Sequence, residues 1–245
     1  MTVVLLGHGR LGSAIAEGWR LTGAVSDPTI LTRAVPPVCP PDTQALIIAV
    51  KPAAWREAVA PLLATLAPDA VVISVMAGVG AADLAVALPG RPVTRVMPTT
   101  AVAQAQGVAA IWSADPHARG VAHSLFDPIA DTVDLNEEAL IDAATAVAGS
   151  APAFFYALAQ ALAAAGVEAG LTPDAAQRLV RGALRSAGSG AGAEAPLDDL
   201  IARIASPGGT TRAGLDALKA ADFDGAAQAA VQAAVSRAQA LAESA

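Results

Sequence analysis

The chain has 245 residues, 54% hydrophobic and 15% charged, so it can form one large domain or two modest ones around a sizeable core. Its formal net charge of -7 argues against nucleic acid as a partner, because phosphate binding needs clustered Lys and Arg. Cys39 is the only cysteine, which excludes an internal disulfide and a cysteine metal cluster and suits a reducing cytoplasm.

Short apolar runs alternate with helical patterns in the first half of the chain. The patterns predict helices at 10–21 and about 53–66, and strands at 3–6, 30–32, 46–50, 71–75 and 93–97. This alternation implies a parallel sheet covered on both faces. Between Arg33 and Gln44 four prolines forbid a regular helix, so the crossover after the second strand is expected to be abbreviated.

From about residue 137 onward the strand signals stop and only helical patterns remain. Helices are predicted at 137–166, 173–188, 194–204, 207–220 and 222–243. The change near Ser150 predicts a dinucleotide-binding domain over 1–148 and an all-α domain over 149–245.

One predicted helix resembles a membrane span, because residues 143–167 contain no charged side chain. Its flanking residues, Asp142 and Glu168, are acidic, and neither flank offers a Lys or Arg anchor. The segment is therefore interpreted as a buried helix of a soluble protein.

A glycine motif follows the first predicted strand and opens the first predicted helix, which is the context that dinucleotide-binding loops require. In G-x-G-x-x-G, the first glycine permits a tight turn, the second lets a pyrophosphate approach, and the third lets helix and strand pack closely. The motif predicts cofactor binding by Gly7, His8, Gly9, Arg10, Leu11 and Gly12.

The residues about 20 positions past this loop indicate which cofactor is bound. The second predicted strand ends at Thr32 and Arg33, and the nearest acid, Asp27, lies before that strand. A guanidinium and a hydroxyl suit the 2′-phosphate of NADPH, whereas NADH usually needs a carboxylate there. NADPH is therefore predicted, with NADH possible.

Further segments follow predicted strands at the same edge of the sheet, where ligands bind in open α/β folds. They could line a nicotinamide pocket, although Lys51 could equally be a solvated surface charge. The residues assigned to the cofactor on this basis are Ala49, Val50, Lys51, Pro52, Ala77, Gly78, Met97 and Pro98.

Residues 206–211 read Ser-Pro-Gly-Gly-Thr-Thr, a pattern typical of a helix N-terminus. Ser206 is predicted as the N-cap and Pro207 as the first helical residue. The two glycines lower helix stability, which suggests that they give a ligand access to backbone N–H groups. The segment therefore predicts a carboxylate or phosphate site that includes Thr210 and Thr211.

The sequence lacks the H-E-x-x-H, C-x-x-C, P-loop and Ser-His-Asp patterns, and no metal site is predicted. His8, His117 and His123 are interpreted as surface residues or, for His8, as a cofactor neighbour. Hydride transfer to a C=N bond fits this inventory, because a protonated imine needs no strong base.

Taken together, the motifs resemble pyrroline-5-carboxylate reductases over nearly the whole chain and in the same order. The glycine loop is similar to that family's G-x-G-x-M-G. The other motifs that resemble those of the family are A-V-K-P at 49–52, R-x-M-P at 95–98, a G-S-G-P-A-Y-like segment at 149–154 and S-P-G-G-T-T at 206–211.

This resemblance implies an NADPH-dependent oxidoreductase with a Rossmann-like α/β domain and an all-α dimerisation domain. It implies reduction of L-1-pyrroline-5-carboxylate to L-proline, the last step of proline biosynthesis, by a cytoplasmic homodimer or higher oligomer such as a decamer. By carry-over, Ser206 and the backbone at Thr210 and Thr211 hold the substrate carboxylate, and the Thr211 hydroxyl lies near the ring nitrogen. The uncharged helix is then an interface between subunits.

Several residues depart from the family pattern. Thr99, Thr100 and Ala101 stand where Asn-Thr-Pro is usual, and Gln160 stands where an acid is common. Two alternatives remain open: a related NADP-dependent reductase of another small imine or oxo acid, and a non-catalytic nucleotide-binding paralogue, which the shortened segment at 34–41 favours.

Overall fold

The computed structural model describes residues 1–34, 37–192 and 195–243. Internal contacts divide the chain into two compact units: Met1–Gly149 with the residues from Gln232 onward, and Ser150–Val231. The division falls in a π-helical segment, Thr145–Ser150. It differs from the predicted domains by placing the residues from Gln232 onward with the first unit.

The first unit contains a seven-stranded sheet in the order β2-β1-β3-β4-β5-β6-β7. The strands are β1 (Val3–Leu6), β2 (Thr29–Leu31), β3 (Ala45–Ile48), β4 (Val71–Ser74), β5 (Val93–Pro98), β6 (Gly107–Trp112) and β7 (Ala130–Asp134). The five strands from β2 to β5 are parallel, which confirms the predicted sheet. β6 runs antiparallel to β5, β7 runs parallel to β6, and both lie outside the predicted strands.

Helices cover both faces of this sheet because its central strands are apolar on both sides. They are α1 (Arg10–Thr22), α2 (Trp55–Val59), α3 (Ala81–Ala87), α4 (Pro116–Phe126) and α5 (Leu140–Ala144). On one face Trp19 of α1 and Phe126 of α4 are fully buried, and on the other Trp55 and Leu84 are. The Trp19 indole donates to the Leu125 carbonyl at 2.8 Å, which satisfies its buried N–H.

The prediction of one helix over 53–66 is wrong. The segment consists of a 3₁₀ turn (Pro52–Ala54), the five-residue α2, and a second 3₁₀ turn (Ala60–Ala64). Pro61 lies within this stretch and has no N–H to donate to the carbonyl four residues earlier, so an α-helix cannot continue through it.

Between β2 and β3 the described residues form turns and no helix, as the prolines predict. Val35 and Pro36 of this segment lie outside the described residues. Cys39 is only 2% exposed and packs with Leu31 and Trp55 in the apolar cluster beneath the sheet. Burial raises the pKa of the Cys39 thiol, against the opposing effects of Thr65 and Arg91.

Glycines let α1 lie against the 3₁₀ turn Thr100–Gln104, which follows β5. A Cβ on Gly18 would overlap the carbonyl oxygen of Val102. A Cβ on Gly107 would lie 2.9 Å from the Val102 amide nitrogen, closer than real Cβ atoms come. The position of this turn therefore depends on two residues that have no side chain.

The second unit is helical, and the residues of α10 are divided between the two units. Its helices are α6 (Ala151–Glu168), α7 (Pro173–Ala191), α8 (Leu197–Ile204), α9 (Thr210–Ala220) and α10 (Phe223–Glu243). Thr172 caps α7 by accepting from the Ala175 amide at 3.3 Å, with Pro173 as the first helical residue. Glu194, where a helix was predicted to start, lies outside the described residues, and α8 begins at Leu197.

The uncharged helix is not buried within the chain, contrary to the prediction. Ala163 is buried, whereas Phe155, Tyr156 and Leu162 are more than half exposed. By length and composition the helical stretch Leu140–Glu168 could cross a membrane, and 11% of its most apolar window is buried. Among the described residues, much of its apolar surface is left exposed.

A polar cluster joins α4 to the edge strand β7. His123 Nδ1 lies 2.9 Å from Asp127 Oδ1, and its Nε2 lies 3.2 Å from Asp134 Oδ1. The Thr132 hydroxyl donates to Asp127 at 2.6 Å, and Arg119 lies 3.9 Å from Asp134. Hydrogen bonding to Asp127 raises the pKa of His123 against desolvation, and Asp134 adds to the rise. Partial burial would raise the pKa of Asp127, but hydrogen bonds from Thr132 and His123 lower it.

This cluster predicts a pH-dependent contribution to stability. The raised pKa of His123 stabilises the folded state fully below the unfolded value of about 6.5, and the effect is lost as pH rises through the folded pKa. The lowered pKa of Asp127 contributes above about 3.9 and is lost as pH falls further. His123→Gln should therefore lower the free energy of unfolding most near about pH 5.5, by about 1 kcal/mol or less, and least near about pH 9.

Denaturant unfolding at both pH values measures this difference. His117→Gln is the control, because His117 is exposed on the same helix. An equal loss for His123→Gln at both pH values would contradict the prediction.

Candidate functional site

The carboxyl ends of the parallel strands form one edge of the first unit. Strand register places Leu31, Leu6, Ile48, Ser74 and Arg95 in one row across this edge. The predicted cofactor segments at 7–12, 32–33, 49–52, 77–78 and 97–98 all follow that row. The structure thus brings together segments that are up to about ninety residues apart in sequence, at the edge where open α/β sheets bind ligands.

Two glycines of the 7–12 loop are required by close packing. Gly7 has φ +103°, and a Cβ there would lie 2.8 Å from the Ala49 carbonyl group. A Cβ on Gly12 would overlap the Gly7 carbonyl oxygen. Neither position can accept a side chain without moving the backbone.

The middle glycine is different, because its surroundings are open. A Cβ on Gly9 would have no heavy atom of the described residues within 4 Å. Gly9 is also the N-cap of α1, and no side chain of the described structure caps this helix. The amides of Arg10, Leu11 and Gly12 therefore lack helical partners and carry the partial positive charge of the helix N-terminus. An open backbone beside free amides suits a pyrophosphate.

Thr32 and Arg33 lie immediately beyond β2, as predicted. Arg33 is exposed, so its guanidinium is free to contact a solvent-side phosphate. The Thr32 hydroxyl accepts from the Ala34 amide at 3.3 Å, which leaves its own proton available to donate.

Two loops beside the glycine turn hold the next predicted residues. The Ala49 carbonyl lies too close to Gly7 to leave room for a side chain there, and the Ala49 amide donates to the Leu6 carbonyl at 2.8 Å. The A-V-K-P segment therefore begins packed against the glycine loop. Lys51 is exposed at the start of the 3₁₀ turn. In the β4–α3 loop, Ala77 is exposed, whereas Gly78 is buried and has φ +74°.

Met97 and Pro98 are placed less favourably than predicted. Met97 is 9% exposed, and a Cβ on Gly149 would lie 3.3 Å from its sulfur. Pro98 is buried at the end of β5. These two side chains are packed beneath the edge of the sheet and expose little surface to a ligand.

The segment 206–211 belongs to the second unit, and its helix start differs from the prediction. Ser206 is not the N-cap and Pro207 is not the first helical residue, because α9 begins at Thr210 with Gly209 as its cap. Ser206 to Gly209 form a turn closed by a 3.0 Å hydrogen bond, with Gly208 at φ +71°. A positive φ cannot continue into a right-handed helix, which explains the later start.

Each glycine in this turn has a distinct role. Gly208 supplies the left-handed conformation, which side chains disfavour. A Cβ on Gly209 would lie 2.7 Å from the Ser206 hydroxyl, so this glycine makes room for that oxygen. In the part of the chain that the structure describes, no side chain caps α9, so the first-turn amides of Thr210 and Thr211 lie near the Ser206 hydroxyl as an anion site would need. Thr211 is half-buried and Thr210 is exposed.

A shallow groove of about 650 Å³ runs along the outer flank of α1. Of the predicted cofactor residues it contains His8 and Arg10, and its other walls are formed by residues such as Glu17 and Asp27. The groove therefore lies beside the strand edge and does not define the predicted site. Among the described residues, no three His, Cys, Asp or Glu side chains are grouped as metal ligands.

One buried ion pair at the edge has no counterpart in the predicted site. Arg95 is 6% exposed and contacts Glu138 at 3.1 Å. A charged residue inside the apolar run 93–97 is the sequence signal for it. Its partner lies 43 residues away and has no signal of its own.

Comparison with known proteins agrees with this architecture. A family model described as pyrroline-5-carboxylate reductase dimerisation matches residues 138–241. The pyrroline-5-carboxylate reductase of Pseudomonas aeruginosa is 35% identical over 207 residues, which cover 82% of this chain and 76% of that protein. The chain belongs to the pyrroline-5-carboxylate reductase family.

Solved structures of the family have the same fold. The pyrroline-5-carboxylate reductase of Coxiella burnetii superposes with a TM-score of 0.85 at 22% identity, covering 98% of both chains. That of Plasmodium falciparum, crystallised with NADP bound, gives 0.81 at 22% identity over 99% of both chains. These similarities confirm the predicted fold class, a Rossmann-like α/β unit followed by an all-α unit.

Proposed function

We propose that the protein reduces L-1-pyrroline-5-carboxylate to L-proline with NADPH. The observation that supports this most directly is the glycine turn of α1, whose first-turn amides lack helical partners and whose Gly9 faces open space. Membership of the pyrroline-5-carboxylate reductase family gives the reaction. We assign dinucleotide binding to residues 1–148 and substrate binding and dimerisation to residues 149–245, although the residues from Gln232 onward group with the first unit.

The cofactor is held along the carboxyl edge of the sheet. The 7–12 loop binds its pyrophosphate through backbone amides, and Gly9 gives that group close access. Arg33 and Thr32 bind the 2′-phosphate, because a guanidinium and a hydroxyl suit a dianion better than a ribose hydroxyl. The loops 49–52 and 77–78 flank the nicotinamide half. When bound, the reduced nicotinamide supplies the hydride for the imine carbon.

The substrate carboxylate is held by the turn that begins α9. Ser206 contributes its hydroxyl, and Thr210 and Thr211 contribute their amides at the positive end of the helix. The Thr211 hydroxyl orients the ring nitrogen or relays a proton to it. These groups act by proximity and orientation, since a protonated imine is already electrophilic.

The apolar surface of the second unit is covered by a further copy of the chain. Besides the exposed side chains of α6, a stripe on α8 formed by Leu197, Ile201 and Ile204 is 44–71% exposed. Patches of this kind on a soluble protein mark interfaces. The family model that matches this region describes a dimerisation domain. We therefore propose a cytoplasmic homodimer, which can assemble further into a higher oligomer such as a decamer.

The decisive experiment is NADPH oxidation by the purified protein with and without pyrroline-5-carboxylate. Oxidation is expected only with the substrate, and proline should accumulate in equal amount. The kcat/KM with NADPH should exceed that with NADH, because NADH lacks the 2′-phosphate with which the Arg33 guanidinium is proposed to pair. Absence of turnover despite NADPH binding would favour a non-catalytic paralogue, and a clear NADH preference would reject the assignment of Arg33.

A further inference from the structure

Arg95 is a buried positive charge at the row of strand ends where the cofactor is proposed to bind. It stands level with Ser74, the last residue of β4, and only 8% of its side chain is exposed. A buried guanidinium needs a nearby anion, because removal of a charge from water costs more than neutral packing returns. The identity of that anion determines what Arg95 can do.

One carboxylate oxygen serves both Arg95 and the start of α3. Arg95 Nη1 donates to Glu138 Oε1 at 3.1 Å, and the Ala81 amide donates to the same oxygen at 2.7 Å. Ala81 is the first residue of α3, so the carboxylate also lies at the positive end of that helix. Glu138 therefore links β5 to the end of the β4–α3 loop.

Arg95 depends on this single partner. In the part of the chain that the structure describes, its Nε and Nη2 atoms are buried and form no hydrogen bond. Asp83, the other acid near this helix start, instead pairs with Arg56 at 2.8 Å, and both side chains are more than half exposed. Glu138 thus both balances the charge of Arg95 and fixes the position of its guanidinium.

The loop that this pair anchors contains two of the proposed cofactor residues. At its beginning, the Val75 amide donates to the Ile48 carbonyl at 3.1 Å, and at its end the Ala81 amide is held by Glu138. Ala77 and Gly78 lie between these two anchors. Gly78 has φ +74°, a conformation that glycine does not enforce by itself. The loop is thus held by β3 at its start and by Glu138 at its end, in addition to its buried residues Met76 and Val79.

We propose that Arg95 and Glu138 are positioning residues, which fix the β4–α3 loop against the nicotinamide half of the cofactor. The inference rests on the proposed function for the identity of the cofactor. Neither residue needs to touch substrate or cofactor. The carboxylate holds the Ala81 amide, and the guanidinium holds the carboxylate.

Two substitutions of Glu138 separate positioning from plain stability. Glu138→Gln keeps an oxygen acceptor at the same reach and removes the charge, so it should lower Tm yet retain the loop. Glu138→Asp keeps the charge but is one methylene shorter, so it cannot contact both Arg95 and Ala81 at the present distances. We expect Glu138→Asp to raise the NADPH Kd and lower kcat by about fivefold or more, with KM for pyrroline-5-carboxylate unchanged. Its Ala81 amide should exchange hydrogen faster than in the wild type.

Asp83→Asn is the matched control, since it alters an exposed acid near the same helix start, and it should behave as wild type. If kinetic losses instead follow the losses in Tm, with Glu138→Gln the most impaired, the pair is merely structural and the proposal is overturned. Unchanged NADPH affinity and exchange in Glu138→Asp would overturn it as well. If the wild type fails to reduce pyrroline-5-carboxylate, the proposed function fails, while NADPH affinity and Ala81 exchange still decide the role of the pair.

Discussion

With alanine in place of Gly9, the protein is expected to remain folded and to bind NADPH at least about tenfold more weakly. The backbone of Gly9, at φ -78° and ψ -166°, is one that alanine adopts readily. The added methyl would meet no described protein atom within 4 Å, so nothing in the fold opposes it. It would, however, occupy the side of the turn that a pyrophosphate must approach.

Fluorescence titration with NADPH measures the affinity, and thermal unfolding without cofactor measures the stability. Gly120→Ala is the matched control, because Gly120 is exposed on α4 and has open space around it. It should keep wild-type affinity and raise stability slightly, since alanine favours helix. Gly12→Ala, by contrast, should lower Tm, because its methyl overlaps the Gly7 carbonyl. Wild-type affinity in Gly9→Ala would remove the glycine turn from the proposed site.

The parts of the site that follow from sequence are those fixed by local chemistry. The motif predicts both glycines that the turn requires: Gly7, which has φ +103° and contacts Ala49, and Gly12, which packs on Gly7. The strand ends follow as well, since parallel pairing places their carboxyl ends at one edge. The apolar runs, such as 71–75, predict where the strands end, and most of the proposed cofactor residues follow those ends.

The errors arise where two local preferences compete. In 53–66 the apolar pattern favours a helix, but Pro61 removes a donor and leaves α2 only five residues long. In 206–209 Ser and Pro favour a helix start, but Gly208 adopts a positive φ and postpones it. In both cases the backbone restriction of one residue outweighs the propensity of its neighbours.

Features that depend on distant residues could not be inferred from the sequence. β7 gains its place from pairing with β6 and from the His123 cluster, and its own pattern is largely exposed. Glu138 has no distinguishing neighbours, and its role exists only because β5 brings Arg95 beside it. The exposure of α6 within one chain could not be inferred from its uncharged sequence either, whereas the family resemblance implies the subunit interface that we propose there.

Thr211→Ala is expected to lower kcat/KM for pyrroline-5-carboxylate by at least about tenfold while NADPH affinity is kept. Thr211 is the second residue of α9, half-buried, and its amide is one of the free donors of the first turn. Alanine preserves that amide and favours helix more than threonine does, so the fold should not suffer. What is lost is the hydroxyl, which we assign to the ring nitrogen of the substrate.

Steady-state kinetics at saturating NADPH, together with NADPH titration, test this assignment. Thr211→Ser is the informative control, because it retains the hydroxyl without the methyl and should keep most of the activity. Thr210→Ala should have a smaller effect, since Thr210 is exposed and is proposed to act through its backbone. If Thr211→Ala turns over as fast as the wild type, the Thr211 hydroxyl has no part in the reaction. A loss in Thr211→Ala that Thr211→Ser restores would identify the oxygen, rather than the shape of the side chain, as the group that acts on the imine.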